Sequence, residues 1–382
     1  MQHFYFDHNA TTPVAGPVLD EMKTCLAEVY GNASSIHHFG QSAKEKLESA
    51  RRRVGALLGA GEKDIVFTSG GTEADNLAIL GTVRASTRVY RHVITSAIEH
   101  PAVLNSCAQL ERDGVRVDYV RVGSSGVVDP DDVKQLLRPD TELVSIMHAN
   151  NEVGTIQPIA EIAALAHEAG IVFHCDGVQA AGRIPVNVAE LDVDLYSVSA
   201  HKFYGPKGAG ALYVRKGTPL AAQVFGGHHE RDRRAGTENI PAISGMGVAA
   251  VDLKLADCSL LRDLLERAIV QRVPGMRVNC ADSPRLPNTS SLSFDFVSGE
   301  PLVIALDLRG FAVSSGSACS SGAVEPSHVL RAIGLSDKDA RSSIRISFGA
   351  SNTVEQVDAL VDAICDSVAH LRRISPEAHV HA

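Results

Sequence analysis

"DIVFTSGGTEADNLAILGTV", residues 64–83, decides the fold. A short apolar run meets a Gly-Gly turn and passes into a helical pattern, and the same unit then repeats. "HVITSAIEH" (92–100) leads into "PAVLNSCAQLERDG", "ELVSIMHANN" (142–151) into "IAEIAALAHEAG", and "IVFHCD" (171–176) into a turn. Strand followed by crossover helix, repeated, means a mainly parallel sheet covered by helices on both faces. The strands are nearly continuous apolar runs, as a sheet buried on both sides requires. "LYSVSAH" and "GALYVRK" extend the sheet to about residue 216.

Beyond residue 250 the texture changes. A helix ("LLRDLLERAIVQRV"), strands ("TSSLSFDF", "SSIRISFG") and a terminal helix with Val354, Val357, Val361, Ile364, Val368 and Leu371 at helical spacing describe a smaller α+β unit. The expected division is a large α/β domain over 15–250 and a small domain made of 1–14 and 251–382. The Gly-rich stretch 226–247 is the expected irregular boundary.

Composition excludes several classes. The 382 residues are 45% hydrophobic and 21% charged, with a formal net charge of -9 and no long basic run, so nucleic acid is not expected as a direct ligand. No stretch reads as a secretion signal or membrane span, and a cytoplasmic location is expected. The seven cysteines are scattered, with no C-x-x-C pair, which indicates neither a disulfide framework nor a zinc site.

Open α/β sheets bind ligands beyond the carboxyl ends of their strands. Gly71 and Thr72 stand at one such end, where a helix start favours phosphate, although any strand-to-helix turn needs glycines and a cap. His100 precedes Pro101 at another, as a helix-entry residue or as a flat ring for a planar ligand. Asn150 and Asn151 offer amides or simply a turn. Asp176 ends a buried strand with Gln179 three residues on; a carboxylate there wants a cation, and Arg183 is the ordinary candidate. In "SVSAHKFYGPKG" (197–208), Lys202 follows an apolar strand, and partial desolvation makes such an amine nucleophilic toward carbonyls. Cys319 stands alone among serines and glycines in "SSGSACSSG" (314–322), unlike the apolar enclosure of a structural thiol.

A lysine, an aspartate, a phosphate-binding turn and a flat histidine are the parts of a pyridoxal phosphate site. "SAHKFYGPKG", "HCDGVQ", "EHPAV", "HANNEVGTIQPI", "GGHHERDRRAGTEN" and "SSGSACSSG" with "EPSHVLRAIG" resemble, in this order and over nearly the whole chain, the cysteine desulfurases of the NifS/IscS type. The resemblance implies a fold-type I pyridoxal phosphate transferase, aspartate aminotransferase-like, with a seven-stranded sheet in its large domain. It further implies that Lys202 binds pyridoxal 5'-phosphate covalently and moves the Cα proton. Asp176 pairs with the ring nitrogen, Gln179 and Asn151 address the ring oxygen, and His100 stacks on the ring. Thr72, Ser199 and His201 bind phosphate with Gly71 allowing close approach, and Thr237 reaches the phosphate of the other subunit of a homodimer. Arg345, set opposite Ile344 and Ile346 on its strand, grips the substrate carboxylate, with Asn32 and Asn151 nearby; a solvent-facing strand arginine is the plain alternative.

On the same resemblance Cys319 is the thiol that takes sulfur from L-cysteine, leaving alanine and an enzyme persulfide. A loop at about 314–326 would carry that sulfur to acceptor or scaffold proteins for iron–sulfur cluster assembly or another sulfur product. No resident metal is implied, Cys319 being the side chain that could ligate a transferred cluster. The long serine-rich loop sets the chain apart from the branch with a "RxGxHCA" pattern. Ala33, Gly71, Cys175 and Gly177 depart from the usual pattern, which could loosen the substrate loop or the phosphate turn. A selenocysteine lyase or aminotransferase of the same fold, or a catalytically idle scaffold, are the competing readings; transamination has no use for Cys319.

Overall fold

The computed structural model describes residues 2–252, 257–315 and 325–374. After a two-residue strand β1 (Phe4–Tyr5), the main sheet is built from β2 (Ile65–Thr68), β3 (His92–Ser96), β4 (Arg116–Val120), β5 (Thr141–Ser145), β6 (Val172–Asp176), β7 (Leu195–Ser199) and β8 (Gly210–Val214). Its seven strands run in the order β2-β8-β7-β6-β5-β3-β4. β8 is antiparallel to both its neighbours, and the other described pairings are parallel. The mainly parallel α/β sheet expected from the sequence is therefore present.

Helices α1 (Gly16–Glu28), α2 (His38–Leu58), α3 (Gly71–Ala85), α4 (Pro101–Arg112), α5 (Pro130–Leu136), α6 (Ile159–Glu168) and α7 (Ile240–Asp252) cover this sheet. Here one expectation is corrected. Residues 240–247 are not an irregular boundary: α7 packs on α1 and α2, and its Ile240, Ile243 and Met246 join the large core. Glycine is tolerated in this helix because it lets helices meet. A Cβ on Gly247 would approach the Ala50 Cα to 2.6 Å.

The second sheet, in the order β12-β13-β10-β9, comprises β9 (Met276–Val278), β10 (Thr289–Phe294), β12 (Ser314–Ser315) and β13 (Ser343–Ser347), while β11 (Phe311–Ala312) pairs with β1. With α8 (Ser259–Arg272), α9 (Gly299–Asp307) and α12 (Val354–Ile374) it encloses a separate core containing Phe6, Leu292, Phe294, Ile344, Ile346 and Phe348. The short helices α10 (His328–Ala332) and α11 (Asp337–Arg341) instead send Val329, Leu330, Ile333 and Ala340 into the large core. No helix of the described residues is long and apolar enough to cross a membrane.

Gly177 shows how closely the sheet end is packed. Tyr196 is fully buried and hydrogen-bonded to His148 Nδ1 at 2.8 Å, and a Cβ on Gly177 would sit 1.9 Å from its ring. The departure at 177 thus accommodates a large neighbour and does not loosen the turn. Gly177→Ala is expected to cost about 1–3 kcal/mol through overpacking, read as a lowered thermal midpoint. Adding Tyr196→Leu, which clears the ring, should recover part of that loss; strictly additive losses would contradict the contact.

Candidate active site

The carboxyl ends of the parallel strands converge on a cavity of about 300 Å³, at the low end of the range for small-ligand sites. Gly71, Thr72, His100, Asn151, Asp176, Gln179, Ser199, His201 and Lys202 all line it. Five different strand ends and the turns that follow them supply these residues. Only the β-α arrangement brings them together, since they span 131 positions from residue 71 to residue 202.

Lys202 closes a 3₁₀ turn (Ala200–Lys202) directly after β7. Its Nζ donates to the carbonyls of Asn9 at 2.6 Å and Ala10 at 2.9 Å. Burial, reinforced by the Arg183 and Arg345 charges, lowers its pKa to about 7. Such an amine is neutral for much of the time at physiological pH and is a competent nucleophile and base.

Asp176 ends β6 and accepts a hydrogen bond from the Val178 N–H at 2.9 Å. Burial raises its pKa, while His100 and Lys202 oppose that rise. Arg183 is not its partner: its guanidinium bonds to the Gln179 side chain and to the His8 carbonyl at 2.8 Å. His100 is the N-cap of α4, its Nδ1 accepting from the Ala102 N–H at 3.1 Å. The neutral ring therefore carries its proton on Nε2. Burial lowers the His100 pKa, with Lys202 acting in the same direction.

At α3, Gly70 provides no side-chain cap, so the first-turn N–H groups remain available to an anion. A Cβ on Gly71 would lie 2.7 Å from Val178 Cγ2, which explains glycine there. His201, held by Thr11 Oγ1 at 3.1 Å, is pushed down to about 4 by burial and the nearby Lys202 and Lys207, and is a neutral donor or acceptor.

The remaining expected residues lie elsewhere. Thr237 is exposed in this chain and lines a second cavity with Ser69, Glu230 and Arg234. Asn32 is exposed, accepting from the Ser34 N–H at 2.8 Å, and does not line the Lys202 cavity. Arg345 is buried, not solvent-facing: Nη1 bonds the Asn151 carbonyl at 3.0 Å and Nη2 the Asp7 carboxylate at 2.6 Å. Its Nε has no partner among the described residues. Asn150 serves its turn, accepting from the Glu152 and Val153 N–H groups at 2.8 and 3.0 Å. Cys319 lies outside the described residues.

Sequence reading missed Ala10, Asp75, Met147 and Val178, which also line the cavity. Asp75 was findable, since it lies one helical turn after Gly71 and so shares its face. Ala10 was not, because it comes from a distant segment.

The donor set fits pyridoxal 5'-phosphate. It combines an uncapped helix start with a close-packed glycine, a buried carboxylate for a pyridinium and a lysine amine of lowered pKa in one cavity. Residues 4–360 match the aminotransferase class-V family, and the chain belongs to that family of pyridoxal phosphate enzymes. A relative from Dictyoglomus turgidum named cysteine desulfurase IscS is 48% identical, aligned over 97% of this chain and 96% of its own length. A solved NifS-like protein superposes with a TM-score of 0.90 at 38% identity, over 97% of this chain and 100% of that one. SspA, solved in complex with cysteine, gives a TM-score of 0.82 at 38% identity, over 90% of this chain and 98% of its own. Within the class, this chain is a cysteine desulfurase of the NifS/IscS type.

The lowered pKa of Lys202 is measurable. The rate at which cofactor-free protein takes up pyridoxal 5'-phosphate should climb through pH 7 and flatten above it, as the amine loses its proton. A rate still climbing toward pH ~10, the range of an ordinary lysine, would contradict the buried setting.

Proposed function

We propose that the Lys202 cavity processes L-cysteine, that its sulfur passes to Cys319 as a persulfide, and that alanine is released. The observation that carries this is the meeting, in one cavity, of an amine with pKa near 7, a buried aspartate and an uncapped helix start. The SspA structure with cysteine supports the choice of substrate.

When bound, pyridoxal phosphate supplies the electron sink that lets an amino acid's Cα–H bond ionise. The chain's own residues do the rest. Asp176 would pair with the ring nitrogen and favour its protonated form, His100 would lie against the ring, and Gln179 and Asn151 would address its oxygen side. Thr72, Ser199, His201 and the first N–H groups of α3 would hold the phosphate, with Gly71 giving the close approach. Lys202 would hold the cofactor and move a proton at the substrate Cα, a task its lowered pKa suits. Arg345 holds the substrate carboxylate with its unpartnered Nε and a terminal nitrogen, while Asp7 and the Asn151 carbonyl fix the guanidinium plane. Asn32 belongs to the substrate's approach rather than to the cavity wall.

In the transfer step the Cys319 thiolate attacks the substrate sulfur. An S–S bond forms, the substrate's Cβ–S bond breaks with its electron pair going to the carbon skeleton, and that skeleton takes up a proton at Cβ and leaves as alanine. The persulfide is then available to acceptor or scaffold proteins for iron–sulfur cluster assembly or another sulfur product. We further assign the chain to a homodimer, since Thr237 is exposed and outside its own chain's cavity. We assign the large unit to 15–250 and the small unit to the described residues of 1–14 and 251–382, with Cys280, Val329, Leu330, Ile333 and Ala340 of the latter packing into the large core. The six described cysteines are all unpaired thiols, which suits a reducing, cytoplasmic setting.

Cofactor-loaded protein given L-cysteine and a dithiol should release alanine and sulfide in equal amounts, and without the dithiol should carry one added sulfur on Cys319. Cys319→Ala should keep the bound-cofactor absorbance and form neither persulfide nor sulfide; undiminished turnover in that variant would remove Cys319 from the reaction. Arg345→Lys, which loses the bidentate grip, should raise KM for cysteine about 10–100-fold with a smaller change in kcat. A fall in kcat at constant KM would contradict a carboxylate-binding role.

A further inference from the structure

Two ion pairs fasten the segment bearing Thr237, one to the turn that opens α3 and the other to α2 and β2. Glu73, in the first turn of α3, accepts from the Ser69 N–H at 2.7 Å and from Arg234, whose Nε lies at 2.8 Å and Nη2 at 3.3 Å. Glu230 is 7% exposed and binds Arg51 through both terminal nitrogens, at 2.7 and 2.8 Å, and the Phe67 N–H of β2 at 2.8 Å. Between these anchors three successive non-glycine residues take the left-handed conformation: Glu230 (φ 47), Arg231 (φ 57) and Asp232 (φ 65). Such a run is unfavourable for L-residues and persists only where the surroundings impose it. Arg231 adds a bond to the Lys63 carbonyl at 3.0 Å. The segment is therefore held in one shape at both ends, and Thr237 follows Arg234 by three residues.

The Glu73 carboxylate grips the phosphate turn of its own cavity and, through Arg234, the base of the Thr237 segment. Thr237 is exposed and does not line that cavity. We propose that Glu73 and Arg234 form a positioning pair acting across the subunit boundary: they set Thr237 of one subunit for the cofactor phosphate held by its partner. This rests on the homodimer reading given above. Glu230 with Arg51 is the second anchor of the same device.

Arg234 touches the Thr237 segment and Glu73, whereas Glu73 also touches its own phosphate turn, so Arg234 is the cleaner site to alter. Mixed dimers of differently tagged chains separate the two subunits' contributions. One chain carries Lys202→Ala, so the lysine-bound cofactor absorbance reports a single site. In the first arrangement R234Q is placed on the Lys202→Ala chain, and the surviving site depends on an altered Thr237 segment from its partner. In the second, R234Q is placed on the chain that keeps Lys202.

Cofactor affinity should fall about tenfold, the loss of one well-placed phosphate hydrogen bond, in the first arrangement and stay unchanged in the second. Equal loss in both, or loss in neither, overturns the proposal. Thr237→Ala in the same two arrangements tests the underlying reading. Should it weaken the second arrangement, or neither, the reading of Thr237 is wrong and the inference goes with it. Loss with Thr237→Ala in the first arrangement but not with R234Q leaves the dimer reading intact and removes the positioning pair. Should R234Q chains not assemble, R234K, whose single ammonium cannot hold both Glu73 oxygens, is read in the same way. A smaller loss confined to the first arrangement supports the pair, and any other pattern overturns it.

Discussion

The ammonium of Lys202 rests on the carbonyls of Asn9 and Ala10, and much of the site's geometry depends on how that N-terminal segment is held. Residues 7–12 form a strap between the two hydrophobic cores. Toward the smaller sheet, the Asn9 N–H donates to Ser347 Oγ at 2.9 Å, its Nδ2 donates to Thr289 Oγ1 at 2.9 Å, and its Oδ1 accepts from Asn288 at 3.1 Å. Toward the large sheet, its carbonyl accepts from Gln179 at 3.1 Å and Thr12 Oγ1 donates to the His201 carbonyl at 3.0 Å. Asp7 meanwhile pairs with Arg345. The lysine, the expected ring-side glutamine and the expected substrate arginine are thus referenced to one short stretch of chain. A shift of the strap would move all three together, which is how two separately folded cores can share one active site.

Much of this architecture was legible in the sequence, for identifiable reasons. The strands of this parallel sheet are apolar runs that end in polar or glycine turns, so β2, β3, β5, β6 and β7, with an expected site residue after each, could be read directly. α2 was less evident although Ala43, Leu47, Ala50, Val54 and Leu58 recur at helical spacing and are buried; its basic outer face reads as a solvated surface. α7 was hidden by its glycines, which signal a loop until the neighbouring helix is known. The strap was not legible at all. "FDHNATTPV" has no periodicity, the Lys202 contacts fall on main-chain carbonyls, and the side chains of Asp7, Asn9 and Thr12 find partners far away in the sequence. Nor does spacing reveal that Arg345 is engaged by Asp7, 338 residues away.

Burial of several carboxyl groups at one sheet edge adds a constraint that no single motif announces. Asp75, Asp176 and Glu99 are all buried near the cavity. Asp75 has an oxygen without a partner among the described residues, and its nearest ring nitrogen, His174 Nε2, stands at 3.7 Å. That histidine cannot neutralise it. Its two nitrogens face Ser145 Oγ at 2.8 Å and Ser197 Oγ at 3.0 Å, and burial drives its pKa down to about 3. Burial, and then the charge of Asp176, hold Asp75 well above the usual carboxylate range, while burial takes Glu99 to about 8.

Adjacent carboxylates in a desolvated site cannot all ionise, so protons collect on those with the least cationic company. Asp176 alone of the three has both His100 and Lys202 lowering its pKa. Asp176, at the end of β6, is thus the carboxyl group of the three whose surroundings most favour its charged form. Burial favours the neutral form of both Asp75 and Glu99, so neither is set to compete with Asp176 for a cation in the cavity. This distribution lets a buried acidic cluster serve a site whose chemistry needs a protonated ring nitrogen beside a largely neutral lysine amine, two requirements that a second full carboxylate charge would set against each other by raising the pKa of both.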